Sequence, residues 1–370
     1  MKKLIGLLCL LALGAGVAVA WAQEGLTIDR QPGDVFATLP EGMSFPEGIA
    51  ANPDTGQIYV STFDSSGSSA LLRFDETGQL EAQRVFTTPL LGLAFEPAGD
   101  EEDETGPGRV YLANFGLAKI QRIEADFTAD TPEAVEDVAI LPSIGPAPAR
   151  SVANPDGSTD IITFTTQLTT TVPAPNALTF NNEGDLFVSD SFQGAIFRIS
   201  DVATCEVPCE VETVTQDGLL ATAGFPPFGA NGLAFSSDGS RLFVANTGDD
   251  RILQADIVTD VVTVTVFAES INGADGIAFD ETGRLWVAAN QADELVALNS
   301  EGRVVAKYGD FLGISETGSP EGLLFPASIA ILDDRILVTN LALPLNGVAG
   351  DEPEEEVTRY TVSQINLSAP

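Results

Sequence analysis

Apolar residues in this chain come in runs of four or five, and each run is closed by a turn rich in Gly, Asp, Asn and Ser. Residues 230–247 show the unit. Asn231 precedes Leu233-Ala234-Phe235, a turn with Asp238-Gly239 at its tip follows, and Leu242-Phe243-Val244-Ala245 runs into Asn246-Thr247. Two short β-rich runs around an Asp-Gly turn predict a hairpin. Helix-period segments are essentially absent.

The unit recurs. Six copies of an x-Gly-Ile/Leu-Ala-Phe-like sentence begin at Glu47, Leu91, Asn176, Asn231, Asp275 and Ala327. Each is followed by a turn and a second apolar run, most by a third (LLRFD, IQRIE, IFRIS, ILQAD, LVALN), and several by a weaker fourth. A period of about 40–50 residues with four short strands is the signature of a β-propeller. The expected fold is therefore all-β, a six-bladed propeller with four-stranded blades. The longest interval, between Leu91 and Asn176, holds a Thr-rich segment at 142–175 without the anchor pattern; it reads as an insertion or extended hairpin, with a seventh blade as the alternative.

A propeller must close its ring. Residues 34–39 resemble an outer strand with no inner strands before it, and Val357 to Val362 resemble a third strand with no fourth after it. The N-terminal strand is expected to complete the last blade and cover its edge. One domain over residues 23–370 follows.

The anchors stand just before the innermost strands, so the fold gathers Glu47, Leu91, Asn176, Asn231, Asp275 and Ala327 near the axis on one face. Antiparallel second strands end on that same face, which adds Asn114, Asp190, Asn246, Asn290 and Asn340. Glu47, Asn176, Asn231 and Asp275 offer oxygen ligands only. Such a set suits a hard cation, Ca²⁺ above all, whereas softer metals want His or Cys. Each Asn-Gly or Asp-Gly pair alone is an ordinary turn former; four oxygen donors at one repeat position make a candidate metal site. Asp190, Asn246 and Asn290 are the candidate substrate contacts.

At these residues the chain resembles the senescence-marker-protein/gluconolactonase (regucalcin-like) family of six-bladed propellers with a divalent metal near the axis. The resemblance covers nearly all of the chain after its first segment. It implies that Glu47 in Glu-Gly, Asn231 in Asn-Gly and Asp275 in Asp-Gly are metal ligands. Asn176 matches the family's substrate-side Asn, whose counterpart in diisopropyl-fluorophosphatase-like and paraoxonase-like propellers ligates calcium. The paraoxonase histidine dyad has no counterpart, because the chain contains no histidine. Many gluconolactonase-like members hold a sugar acid with an Arg near the third-blade Asn; the nearest here is Arg150.

Charge and cysteines complete the picture. A net charge of −37 over 370 residues repels nucleic acid and anionic membranes. Lys2 and Lys3, an apolar run from Leu4 to Ala20 and a small-x-small site at Ala20-Trp21-Ala22 read as a signal peptide over residues 1–22, predicting a secreted or periplasmic protein. Export permits a disulfide between Cys205 and Cys209. The expected function is a Ca²⁺-dependent hydrolase of the lactonase type, acting as a monomer on a small ester or lactone, with Asp275 as base or nucleophile. The alternatives are a non-catalytic calcium- or partner-binding propeller, and a lyase or synthase on the same scaffold.

Overall fold

The structure, a computed structural model, describes residues 26–65, 67–96, 108–128, 135–164, 173–257, 262–346 and 348–367. The leader read over residues 1–22 lies outside them. Among the described residues, strands dominate and the only helical elements are three short 3-10 turns.

Six four-stranded antiparallel sheets form the blades. Their inner strands are Pro46–Ala51, Leu90–Glu96, Pro175–Phe180, Ala230–Phe235, Ala274–Phe279 and Pro326–Leu332, for blades 1 to 6. Each touches its two neighbours, and the sixth touches the first, so the ring is closed. Blade 6 takes its outermost strand from the N-terminal region: Asp34–Thr38 pairs antiparallel with Thr361–Asn366, Asp34 facing Gln364 and Thr38 facing Thr361. The last third strand thus starts four residues later than the sequence suggests, after a loop that ends in the 3-10 turn Pro353–Glu356. An additional strand, Thr27–Asp29, lies parallel to the outer strand of blade 5.

The insertion before blade 3 contains a two-stranded hairpin, Arg150–Ala153 with Thr159–Ile162, and is not a seventh blade. A second small hairpin, Phe311–Ile314 with Pro320–Gly322, precedes blade 6. Cys205 and Cys209 are disulfide-bonded, with Cα atoms 5.6 Å apart, between the third and fourth strands of blade 3. No helix of the described residues is long and apolar enough to cross a membrane.

The core lies between blades, where alternate strand residues from adjacent sheets meet. Tyr59, Phe74, Tyr111, Phe127, Phe197 and Trp286 are fully buried there. Near the axis the inner strands approach backbone to backbone. A methyl on Gly92 would stand 2.5 Å from the Asn176 carbonyl oxygen, and one on Gly276 2.6 Å from the Ser328 Cα. The Gly of the repeat therefore serves inter-blade packing. Hydroxyls reinforce the same seams: Ser61 donates to Leu91 O, Ser191 to Ala230 O, Thr247 to Ala274 O and Thr339 to Glu47 O. The last of these joins blade 6 to blade 1.

Candidate functional site

In every blade the pairing of the first two strands shifts register across the anchor and the residue after it, between positions 46/49, 90/93, 175/178, 230/233, 274/277 and 326/329. A β-bulge re-aims a side chain that the pleat would otherwise place by alternation. Here it turns the anchor side chains together. Glu47, Leu91, Asn176, Asn231 and Asp275 line one cavity on the axis, together with Asn290 and Thr247. The four polar anchors are at most 5% exposed.

A hydroxyl orients each amide. Ser191 spends its only proton on the Ala230 carbonyl, so its oxygen accepts from Asn176 Nδ2 at 2.9 Å. Thr247 donates to the Ala274 carbonyl and accepts from Asn231 Nδ2 at 2.9 Å. With its N–H₂ end held by its own blade, the amide must present its oxygen elsewhere. Asn290 Nδ2 donates to Asp275 Oδ2 at 3.0 Å. The result is four buried oxygens without a hydrogen-bond partner: Glu47 Oε2, Asn176 Oδ1, Asp275 Oδ1 and Asn290 Oδ1.

Unpartnered buried acceptors are costly. Burial, and then the charge of Asp275, push the Glu47 carboxyl well above the usual carboxylate range. Burial pushes Asp275 up to about 7, opposed by the hydrogen bond from Asn290. Two carboxylates and several amide oxygens facing one space fit a hard cation, which would satisfy the lone pairs and offset the charges. Among the described residues there is no group of three or more His, Cys, Asp or Glu side chains suited to a metal, so the fit rests on amide oxygens as much as on acids.

The remaining sequence candidates are placed differently. Asp190 stands outside the cavity lining, and its carboxylate accepts from the N–H groups of Ala174, Phe192 and Gln193 and from Gln193 Nε2. Asn246 donates to the carbonyls of Leu219 and Ala221 and accepts from the Asp249 N–H. Both shape loops. The register explains the split: Ala230 pairs with Asn246 but Ala274 with Ala289. Asn290 is thus the counterpart of Thr247, one residue further along. Ser191 and Thr247, the orienting hydroxyls, were missed by the sequence reading although they directly follow the Asp190 and Asn246 it named. Arg150 is also away from the cavity. It pairs with Asp249 at 2.6 Å, both side chains nearly buried, and holds the 150–162 hairpin to the top of blade 4.

Residues 220–309, which carry Asn231, Thr247, Asp275 and Asn290, match the family model described as SMP-30/Gluconolactonase/LRE-like region. The resemblance to the SMP-30/gluconolactonase-like family holds. No curated protein sequence matches the chain. Among solved structures, the chain is similar to a luciferin-regenerating enzyme (14% identity, TM-score 0.59, covering 88% of this chain and 92% of that one). It is also similar to a calcium-binding protein, regucalcin, from Agrobacterium tumefaciens (15%, 0.57, 92% and 96%) and to a gluconolactonase from Xanthomonas campestris (14%, 0.52, 92% and 97%). At these identities the likeness establishes the shared propeller.

Proposed function

We propose that the protein is an exported, divalent-cation-dependent hydrolase that opens a small ester or lactone at the axis, with Ca²⁺ as the first candidate ion. The observation that carries the reading is the set of three unpartnered, buried oxygens from Glu47, Asn176 and Asp275. The family match over blades 4 and 5 supports the lactonase class, and the disulfide supports export. Glu47, Asn176, Asn231 and Asp275 would hold the ion, which would supply Lewis-acid polarisation of the substrate carbonyl. Ser191 and Thr247 keep two of those amide oxygens aimed inward. Asp275 is the candidate base or nucleophile. Asn290 fixes Asp275 Oδ2 through its Nδ2.

The test is calcium titration by calorimetry, with lactone opening followed in parallel. Wild type should bind calcium, melt higher in its presence and open lactones. At 100-fold excess over the dissociation constant a ligand of the native state adds about 2.7 kcal/mol. Glu47→Gln and Asp275→Asn should each lose most of that shift, and Asp275→Asn all turnover. Equal melting temperatures in calcium and in chelator, for wild type, would sink the metal site. Tight calcium binding without turnover of any ester or lactone would replace the hydrolase by the binding-propeller reading.

A further inference from the structure

The cavity is divided into a polar and an apolar half, and we infer that its substrate carries an alkyl or aryl group that lies on blades 6, 1 and 2 while its carbonyl faces blades 3 to 5. The proposal rests on the hydrolase reading only for the carbonyl half. The division follows the ring. On blades 3, 4 and 5 the anchors are Asn176, Asn231 and Asp275, backed by Ser191, Thr247 and Asn290. At the same positions blades 2 and 6 have Leu91 and Ala327, and the backing residues of blades 1, 2 and 6 are Phe63, Phe115 and Leu341. Glu47 is the one polar anchor on that side.

The mouth extends the apolar half. Phe325 and Leu341 are buried in one cluster with Ala327, and Phe63 and Leu343 pack against it half-buried. On that side Phe63 of blade 1 also meets the half-buried Phe115 of blade 2, 5.6 Å between ring centres. Phe228, before blade 4, also lines the cavity, whose described residues include no Lys or Arg. A lactone bearing a hydroxyl on every ring carbon would bury several hydroxyls against carbon. Each left without a partner weakens binding by roughly tenfold. An alkyl chain in the same place gains about fourfold per buried methylene.

Binding and turnover separate this inference from the reading beneath it. The calcium-loaded full-length protein is titrated calorimetrically with non-hydrolysable δ-lactams carrying butyl, hexyl or octyl chains, and with glucono-δ-lactam. Affinity should rise about fourfold per methylene until the space is filled, and the polyhydroxylated lactam should bind at least tenfold more weakly than the best alkyl lactam. Leu343→Ser should flatten the dependence on chain length and Leu343→Met should retain it. Glucono-δ-lactam binding as tightly as the alkyl lactams, affinity independent of chain length, or no binding by any lactam would each overturn the proposal. The matching lactones are then assayed for opening. Bound alkyl lactams with no lactone opened would sink the hydrolase and leave the divided cavity standing. Preferential opening of the glucono lactone would do the reverse.

Discussion

A methyl group added to Gly232 would press on the carbonyl oxygen of Asp275 in the next blade. That crowding, together with the bulge at each anchor, explains why Gly follows the anchor in four of six repeats. Thr247 shows the same economy: one hydroxyl ties blade 4 to blade 5 and turns the Asn231 amide. Thr247→Val keeps the shape and removes both bonds. It should weaken calcium binding by about 10- to 100-fold, while Thr247→Ser should restore it; calorimetric affinities that are equal for the Val and Ser variants would contradict the orienting role. The four polar anchors were legible in the sequence because they occupy one repeat position. The hydroxyls were not, because Ser and Thr beside a strand end are common, and nothing but the register places them one residue beyond Asp190 and Asn246. Asn290 was legible as a polar residue but not as the counterpart of Thr247, since Ala289 breaks the Asn/Asp pattern of the strand ends.

Between elements, Asp293 links blade 5 to the lead-in of blade 6. It closes the 3-10 turn Asn290–Ala292 with a left-handed φ of 52°, and its Oδ1 accepts from the Phe325 N–H at 2.8 Å. Burial pushes its carboxyl up to about 6, opposed by that hydrogen bond and assisted by the charge of Asp310; Glu354 also faces it. Between about pH 4 and 6 the native state therefore holds a proton that the unfolded chain has released, so stability falls as pH rises through that window. Asp293→Asn tolerates the positive φ and still offers an oxygen to Phe325. The variant should melt close to wild type at pH 4 and above it at pH 7, by at most about 3 kcal/mol. A gain of the same size at both pH values would show that the charge is not the cause. The hairpins at this scale were read unevenly. Apolar runs around Asp-Gly and Asn-rich turns fixed the blade hairpins, whereas the 150–162 hairpin alternates little, lies largely exposed and is held by a distant partner, Asp249, that no local pattern announces.

For the whole molecule, closure was legible from a deficit: the last blade lacked an outer strand and residues 34–39 had no inner ones. The strand Thr27–Asp29 was not, being three residues long and mostly exposed. Removing residues 1–38 should bare the edge of Thr361–Asn366 and turn a monodisperse protein into an associating one; a truncated chain that elutes and scatters light as a stable monomer would count against closure by that strand. The same pairing decides how the ring would respond to tension. Asp34 lies opposite Gln364 and Thr38 opposite Thr361, so the chain enters and leaves blade 6 at the same end of an antiparallel pair. Once Thr27–Asp29 had come away from blade 5, a pull on the two ends would load the rungs one after another, as a zip is loaded, and not all at once in shear. Force would peel the outer strand of blade 6 while the other five blades still held, and the ring would yield first at the seam where it was sewn shut.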